Sequence, residues 1–124
     1  MTQTTDRVFL RELAVECIIG FLDWERLVKQ TVYLDIEAPI DCRHAAVNDD
    51  VADTLDYKRL SKAVIAFVGA SEFKLVETLA DRTAKLILEE FDIPWVKVTL
   101  NKRGAIRASR DVGVAIERTR ADLG

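Results

Sequence analysis

The sequence is poor in the residue types that build disulfide frameworks and metal sites. Its two cysteines, Cys17 and Cys42, lie far apart with no nearby cysteine partner, and His44 is the only histidine. This spacing predicts neither a disulfide framework nor a zinc site, so no metal is expected. We predict that the cysteines are small strand or strand-end residues and that His44 is a solvated loop residue. A reducing compartment, the cytoplasm, suits such a chain best.

Long apolar runs and an excess of charge are also missing. No apolar stretch approaches the roughly 20 residues that span a bilayer, and Met1 to Asp6 lack the basic start and apolar run of a secretion signal. Lys and Arg total 18 against 21 Asp and Glu, a net charge of −3. This balance gives no long-range attraction to nucleic acid or to an anionic membrane, so we expect neither as a partner.

What the chain does contain fits one compact domain, residues 1–124. It is 49% hydrophobic and has only two prolines in 124 residues. A domain of this size buries only about two-thirds of its unfolded surface, so its core is adequate but thin. Association with copies of itself would add buried surface.

Hydrophobic periodicity divides the chain into strands and helices. Residues 7–19 are rich in β-branched and apolar side chains, and residues 31–40 alternate apolar with polar, so both are predicted strands. Apolar residues then recur at helical spacing from Tyr57 to Val68 and from Val76 to Phe91. Strand-like alternation returns after Pro94, first over residues 96–101 and then from Val112 to Ile116.

The predicted order is strand, strand, helix, helix, strand, strand. Strands and helices in separate runs favour an α+β fold, a four-stranded antiparallel sheet with both helices on one face. Such a sheet has two unpaired edges, which copies of the chain could cover. A closed ring of subunits would place loops of neighbouring subunits side by side, so one site could draw residues from two chains.

Polar segments beside these elements carry a family resemblance. They are GFLDWERLVKQ, DDVADTLDY, FKLVETLADRTA, and NKRGA followed by VGVAIER. Together they resemble the dihydroneopterin aldolase family from about Val8 to Arg118. The resemblance implies the tunnelling fold (T-fold), whose subunits form tetrameric barrels that stack into octamers.

The chemistry that this resemblance implies is a retro-aldol cleavage in folate biosynthesis. The family cleaves 7,8-dihydroneopterin, a small pterin, to 6-hydroxymethyl-7,8-dihydropterin and glycolaldehyde. Because the C=N bond of the dihydropterin can accept the electrons, the protein needs only positioned proton donors and acceptors. No metal or organic cofactor is therefore expected. Epimerisation at the 2′ carbon is an expected second activity, since glycolaldehyde can add back through its opposite face.

Glu77 and Lys102 match the family's pterin anchor and catalytic lysine. Glu77 falls in the first turn of the second predicted long helix, where the helix dipole favours an ionised carboxylate. A carboxylate can accept paired hydrogen bonds from the amino group and ring N–H of a pterin. Lys102 follows a predicted strand, and the resemblance implies that it transfers protons together with a bound water.

Tyr57 and Glu25 match two further catalytic residues of the family. Tyr57 is expected to pass protons at the substrate side-chain carbon and to reach the site of a neighbouring subunit. Because Tyr57 also begins the apolar stripe of its helix, a core tyrosine is the alternative, and both interpretations hold if the ring is packed and the hydroxyl is exposed to the pocket. Glu25, in the long loop between the first two strands, is expected to orient substrate hydroxyls or the catalytic water. Gln30 closes the same motif and could equally be a strand-start residue, so we leave it out of catalysis.

Backbone contacts to the pterin are expected from two segments. The resemblance assigns them to Asp53, Thr54 and Leu55, which help to enclose the ring, and to Val76 beside Glu77. Side-chain identity reveals little here, since backbone roles tolerate many side chains.

One departure from the family pattern leaves alternatives open. Relatives commonly have proline after the catalytic lysine, whereas this chain has Arg103, followed by Arg107 and Arg110, which suggests a more mobile, basic loop. Clustered arginines can bind phosphate, so dihydroneopterin triphosphate 2′-epimerase is one alternative. A non-catalytic pterin- or purine-binding ring is another. A nucleic-acid module on the basic loop is weaker, because no aromatic residues interleave the cluster.

Overall fold

A computed structural model describes residues 5–124 of the chain. We predicted that Met1 to Asp6 carry no secretion signal, and residues 1–4 of this segment lie outside the described part. Within residues 5–124, three short 3-10 turns, Asp23–Arg26, Val51–Asp53 and Arg120–Leu123, accompany four strands and three α-helices. None of these helices is long and apolar enough to cross a membrane. The elements are β1 (Arg7–Cys17), β2 (Gln30–Pro39), α1 (Cys42–Asn48), α2 (Tyr57–Gly69), α3 (Val76–Glu90), β3 (Trp95–Asn101) and β4 (Gly113–Thr119).

The four strands form one sheet in the order β1-β2-β3-β4, and all neighbours are antiparallel. The predicted α+β architecture is therefore confirmed. In the register, Ile36 of β2 lies between Leu10 of β1 and Val98 of β3. β1 and β4 are the two edges of this sheet.

The core lies between one face of the sheet and the two long helices. The predicted alternation of β2 is confirmed, since Val32, Leu34, Ile36 and Ala38 are all buried. α2 packs against β1 and α3 against β3 and β4, and both helices contribute to the same apolar cluster. The opposite face of the sheet, which includes Tyr33, is only half-buried in this chain.

β1 is interrupted by an irregularity that the alternation pattern did not predict. The pairing with β2 shifts register between Leu10 and Leu13, and Glu12 adopts a left-handed conformation with φ of 53°. A non-glycine residue with positive φ is uncommon, and here it forms a bulge that redirects a side chain.

A short helix, α1, between β2 and α2 was also not predicted. It corrects the assignment of His44 to a loop and that of Cys42 to a strand or strand end. Asp41 caps α1 by accepting hydrogen bonds from the backbone N–H groups of Arg43 and His44. His44 is therefore an exposed helical residue and not a loop residue, and its Nε2 lies 3.5 Å from Asp53. Cys42 begins this helix and is exposed, whereas Cys17 is buried at the end of β1 as expected. Asp41 was the available sequence signal, because aspartate is a preferred helix-capping residue.

Candidate active site

Three chain segments meet at a cleft of about 370 Å³ beside the N-terminus of α3. The loop after β1 contributes Gly20 and Glu25, the start of α3 contributes Val76 and Glu77, and the residue after β3 contributes Lys102. The structure thus brings together four predicted site residues from three separate sequence motifs, namely Glu25, Val76, Glu77 and Lys102.

Glu25 and Lys102 form a direct ion pair in the wall of this cleft. Lys102 Nζ lies 2.5 Å from Glu25 Oε2, and the side chains are only 13% and 6% exposed, respectively. The hydrogen bond from Lys102 lowers the pKa of Glu25, and this effect outweighs the burial that would raise it. The pair therefore places an ammonium group and a carboxylate together, shielded from bulk water.

Two further donors hold the Glu25 carboxylate, and one of them comes from a residue that sequence reasoning left out of catalysis. Gln30 Nε2 donates to Glu25 Oε2 at 3.0 Å and to the carbonyl of Ile19 at 2.7 Å. The backbone N–H of Leu22 donates to Glu25 Oε1 at 3.3 Å. Gln30 is the first residue of β2, so its strand-start placement is confirmed, but its amide also belongs to the site. Its position at the end of the DWERLVKQ motif was the only sequence signal.

The loop that carries Glu25 is built around a glycine. Gly20 has φ of +128°, and a Cβ added there would lie 2.2 Å from the carboxylate carbon of Glu25. Only glycine leaves room for the carboxylate in this backbone conformation. Arg26 ties the loop down, since its guanidinium donates to the carbonyls of Gly20 at 2.8 Å and Glu72 at 2.6 Å.

Glu77 lies across the cleft with its carboxylate available to a ligand. It occupies the first turn of α3, is exposed, and has no hydrogen-bond or ion-pair partner within residues 5–124. Leu75, which precedes the helix, provides no side-chain cap. The first backbone N–H groups of the helix, including that of Val76, are therefore not satisfied by a capping side chain.

The other predicted site residues lie elsewhere in the chain. Asp53, Thr54 and Leu55 line a separate cavity of about 680 Å³ next to α1. Tyr57 is the first residue of α2 and is 57% exposed, so within a single chain it is not the core tyrosine of the alternative interpretation. Within one chain, these four residues do not share the cleft of Glu77 and Lys102.

The basic loop after Lys102 is partly paired with acidic residues. Arg103 contacts Glu12 and places its Nε 3.3 Å from Asp111, while Arg110 Nε lies 3.0 Å from the same carboxylate. Arg107 is exposed and has no partner among the described residues. Arg103 is therefore held by several contacts, although its replacement of proline had suggested a more mobile loop.

Between residues 5 and 124, no group of three or more histidine, cysteine, aspartate or glutamate side chains is arranged to hold a metal ion.

Comparison with known families gives a match over nearly the whole chain. The family model described as "FolB: Dihydroneopterin aldolase" matches residues 8–117. A dihydroneopterin aldolase of Escherichia coli is 43% identical over 113 residues, which are 91% of this chain and 93% of the relative. A dihydroneopterin triphosphate 2′-epimerase of Pseudomonas aeruginosa is also similar, with 24% identity over 89% of each chain.

A solved structure shows the same similarity in three dimensions. The crystal structure of the Escherichia coli dihydroneopterin aldolase in complex with neopterin superposes with a TM-score of 0.89 at 43% identity. The match covers 92% of this chain and 99% of the other.

Proposed function

The chain belongs to the dihydroneopterin aldolase family, and we propose on this premise that its cleft is one half of an aldolase site completed by a neighbouring subunit. Its activity is that of the family, the carbon–carbon lyase reaction that converts 7,8-dihydroneopterin in folate biosynthesis. The observation that carries the site assignment is the convergence of Glu25, Glu77 and Lys102 on one cleft.

Glu77 is the proposed anchor for the pterin ring. Its carboxylate is exposed toward the cleft without a partner in the described residues, at the positive end of the α3 dipole. A pterin presents an amino group and a ring N–H side by side, and an ionised carboxylate accepts both in charge-assisted hydrogen bonds. The backbone N–H groups beside Val76 can serve the carbonyl oxygen of the same ring.

The reaction breaks the bond between C1′ and C2′ of the substrate side chain. A base removes the proton of the 2′ hydroxyl, glycolaldehyde leaves, and the electron pair of the broken bond moves toward C6 and N5 of the pterin. Protonation of N5 gives an enamine, and protonation of C1′ with loss of the N5 proton gives the hydroxymethyl product. Each step is a proton transfer to or from a positioned group, which suits general acid–base catalysis without a metal or organic cofactor.

The Glu25–Lys102 pair is the proposed proton-transfer unit at this side of the cleft. The ammonium of Lys102 can donate to N5 through a bound water, and Glu25 keeps the ammonium in place. Glu25 has a second carboxylate oxygen, Oε1, with which to orient a water or a substrate hydroxyl. Gln30 holds this carboxylate and so belongs to the positioning of the pair.

Tyr57 and residues 53–55 are the proposed contribution of the neighbouring subunit. They line other cavities than the Glu77 cleft in a single chain, and both sheet edges are available for pairing with copies. A ring of four subunits, stacked into an octamer, would join the two halves. The exposed Tyr57 hydroxyl would then exchange the C1′ proton.

We also propose the cytoplasm as the location of the protein.

Epimerisation at C2′ is a proposed side activity of the same site. If glycolaldehyde remains bound and turns before the bond re-forms, the opposite configuration results. The identity of 43% to an aldolase against 24% to a triphosphate epimerase favours cleavage of the free substrate as the main reaction.

Product analysis tests the proposed function directly. Purified protein with a chelator present is incubated with 7,8-dihydroneopterin and, separately, with its triphosphate, and the products are separated by chromatography. We expect 6-hydroxymethyl-7,8-dihydropterin and glycolaldehyde from the unphosphorylated substrate. Epimerised triphosphate without cleavage would instead support the epimerase, and tight pterin binding without any product would support a binding ring.

Variants separate the proposed binding and catalytic roles. Glu77→Ala should chiefly abolish pterin binding, because the paired acceptor for the ring is lost. Lys102→Ala and Tyr57→Phe should lower turnover far more than binding, which calorimetry with neopterin can measure. Unchanged neopterin affinity in Glu77→Ala would disprove the anchor assignment.

A further inference from the structure

Arg103 follows the proposed catalytic lysine but lies on the other side of the sheet. Its guanidinium stacks on the ring of Tyr33, with the guanidinium carbon 4.3 Å from the ring centroid. Tyr33 lies on the face of β2 opposite to buried Leu34. Arg103 begins the turn after β3, and its side chain contacts Tyr33 whereas that of Lys102 contacts Glu25, so the two neighbouring side chains lie on different sides of the sheet.

Two carboxylates hold this guanidinium from different parts of the fold. Glu12 of β1 accepts from Arg103 Nη2, and Asp111 accepts from Arg103 Nε at 3.3 Å. Asp111 also accepts from Asn101 Nδ2 at 2.8 Å. Arg103 thus connects the start of its own loop, the end of that loop and the first strand. A planar guanidinium can donate hydrogen bonds to such widely separated partners at the same time, and an ammonium does this less well.

The partner on β1 is itself held in place by the bulge. Glu12 has φ of 53°, and its backbone N–H donates to Asp35 Oδ1 of β2 at 2.7 Å. The bulge interrupts the regular alternation of β1 and lets the Glu12 side chain reach the loop after β3. The anchor for Arg103 is therefore part of the sheet.

Lys102 lies between the anchored residues. Its backbone N–H donates to the carbonyl of Val112 at 2.7 Å, and its neighbours Asn101 and Arg103 both bond to Asp111. The ammonium on the other side of this segment meets Glu25. The backbone of Lys102 is consequently fixed from the face of the sheet opposite to the cleft.

We propose that Arg103 is a positioning residue that holds Lys102 in register with Glu25 and the substrate through its contacts with Glu12, Asp111 and Tyr33. The inference rests on the proposed function of Lys102. Exposed ion pairs such as these contribute little to global stability. Proton transfer, in contrast, depends on placement to within a fraction of an ångström, and a displacement of about 1 Å can cost about 100-fold in rate.

The test compares Arg103→Ala with Arg107→Ala in steady-state cleavage of 7,8-dihydroneopterin. Arg107 is a matched control, because it lies in the same loop and carries the same charge but has no partner in the described chain. We expect kcat to fall about 10-fold or more in Arg103→Ala, with KM and neopterin affinity within about 2-fold of wild type. Arg107→Ala should leave all three close to wild type.

Conservative changes separate positioning from simple charge. Arg103→Lys keeps the charge but loses the planar fork, so we expect kcat between those of wild type and Arg103→Ala. Glu12→Gln should also lower kcat. Glu12 does not line the cleft, so we expect its effect to be transmitted through its contact with Arg103. Thermal melting of each variant should stay near that of wild type.

If the wild-type protein is active, any one of three results would overturn the inference. They are equal kcat in Arg103→Ala and Arg107→Ala, a rise in KM without a fall in kcat, and a kcat loss that follows a lowered melting temperature. An inactive wild-type protein would instead refute the proposed function, so the two failures are distinguishable.

Discussion

At the residue scale, the cleft depends on one carboxylate that is buried but well supplied with donors. Glu25 accepts from Lys102, Gln30 and the N–H of Leu22. Loss of one donor leaves the charge of a largely buried carboxylate with less compensation, and such a loss costs more than the bond itself contributes.

The first prediction concerns pH and the Lys102→Met variant. The hydrogen bond from Lys102 lowers the pKa of Glu25 in the folded chain. A lowered folded-state pKa contributes stability above the ordinary pKa of glutamate, and that stability is lost as pH falls through the folded-state value. In Lys102→Met the largest cause of the lowered pKa of Glu25 is lost, while the burial that raises this pKa remains. We therefore expect destabilisation to be largest near neutral pH and to shrink on acidification, measured by urea unfolding at fixed protein concentration.

Glu25→Gln provides the control for this pH dependence. Combined with Lys102→Met, it removes the ionisable carboxylate, so the destabilisation by Lys102→Met should no longer vary with pH. A difference between wild type and Lys102→Met that stays constant from neutral to acidic pH would contradict the assignment of the ion pair.

The second prediction concerns Gly20→Ala. The added methyl would lie 2.2 Å from the carboxylate carbon of Glu25, so the carboxylate must move away from Lys102. We expect kcat for dihydroneopterin cleavage to fall about 10- to 100-fold, with a smaller change in neopterin affinity. In a Glu25→Ala background the collision is absent, so the same substitution should have a much smaller further effect on kcat. Full additivity of the two changes would refute this account.

At the element scale, the start of β4 controls how closely it approaches β3. Gly113 lies opposite Asn101, and a Cβ at Gly113 would lie 1.8 Å from the carbonyl oxygen of Leu100. No side chain fits between the strands here. The same pairing closes the loop that begins at Lys102, because the Lys102 N–H bonds to Val112 directly before the strand.

Gly113→Ala should therefore open the end of the β3–β4 pair. We expect a loss of about 1–3 kcal/mol in the free energy of unfolding, measured by urea denaturation, together with reduced kcat. Gly69→Ala in α2 is the matched control, since its nearest atom would lie at an ordinary 3.8 Å. That change should be neutral or stabilising by up to about 1 kcal/mol. Equal stability of the two variants would show that the strand pair can adjust.

At the scale of the whole molecule, the proposed site is divided between surfaces that a single chain keeps apart. Glu77 and Lys102 share one cleft, whereas Thr54 and Leu55 line another cavity and Tyr57 is exposed. β1 and β4 end the sheet as unpaired edges in one chain. A closed ring that pairs these edges would give as many complete sites as subunits.

Subunit complementation tests this arrangement. Tyr57→Phe and Glu77→Ala proteins are each expected to be nearly inactive alone. When the two are co-expressed in equal amounts, about a quarter of the sites should combine an intact Glu77 cleft with an intact neighbouring Tyr57. We expect activity near that fraction of wild type. Activity no greater than the average of the two variants would place Tyr57 and Glu77 in the same subunit's site.

Local pattern and family motif allowed much of the fold to be predicted. Alternation identified β2 and β3, helical spacing identified α2 and α3, and the order of the segments gave the antiparallel sheet. These features depend on neighbouring residues along the chain, so they can be read from it. Helix α1 was missed because seven residues give too little periodicity, and the Glu12 bulge was missed because it depends on pairing with β2.

Local sequence was enough to predict the four strands and the two long helices and, through the family motifs, the candidate residues Glu25, Glu77 and Lys102. Which of these residues meet depends on the fold. Glu25 and Lys102 are 77 positions apart, and Glu12 and Arg103 are 91 apart, so both contacts arise from strand register and loop paths. The Gln30 amide and the space at Gly20 are likewise features of the folded loop. Local sequence specifies backbone preference, whereas the position of a side chain in a site depends on the packing of the whole sheet.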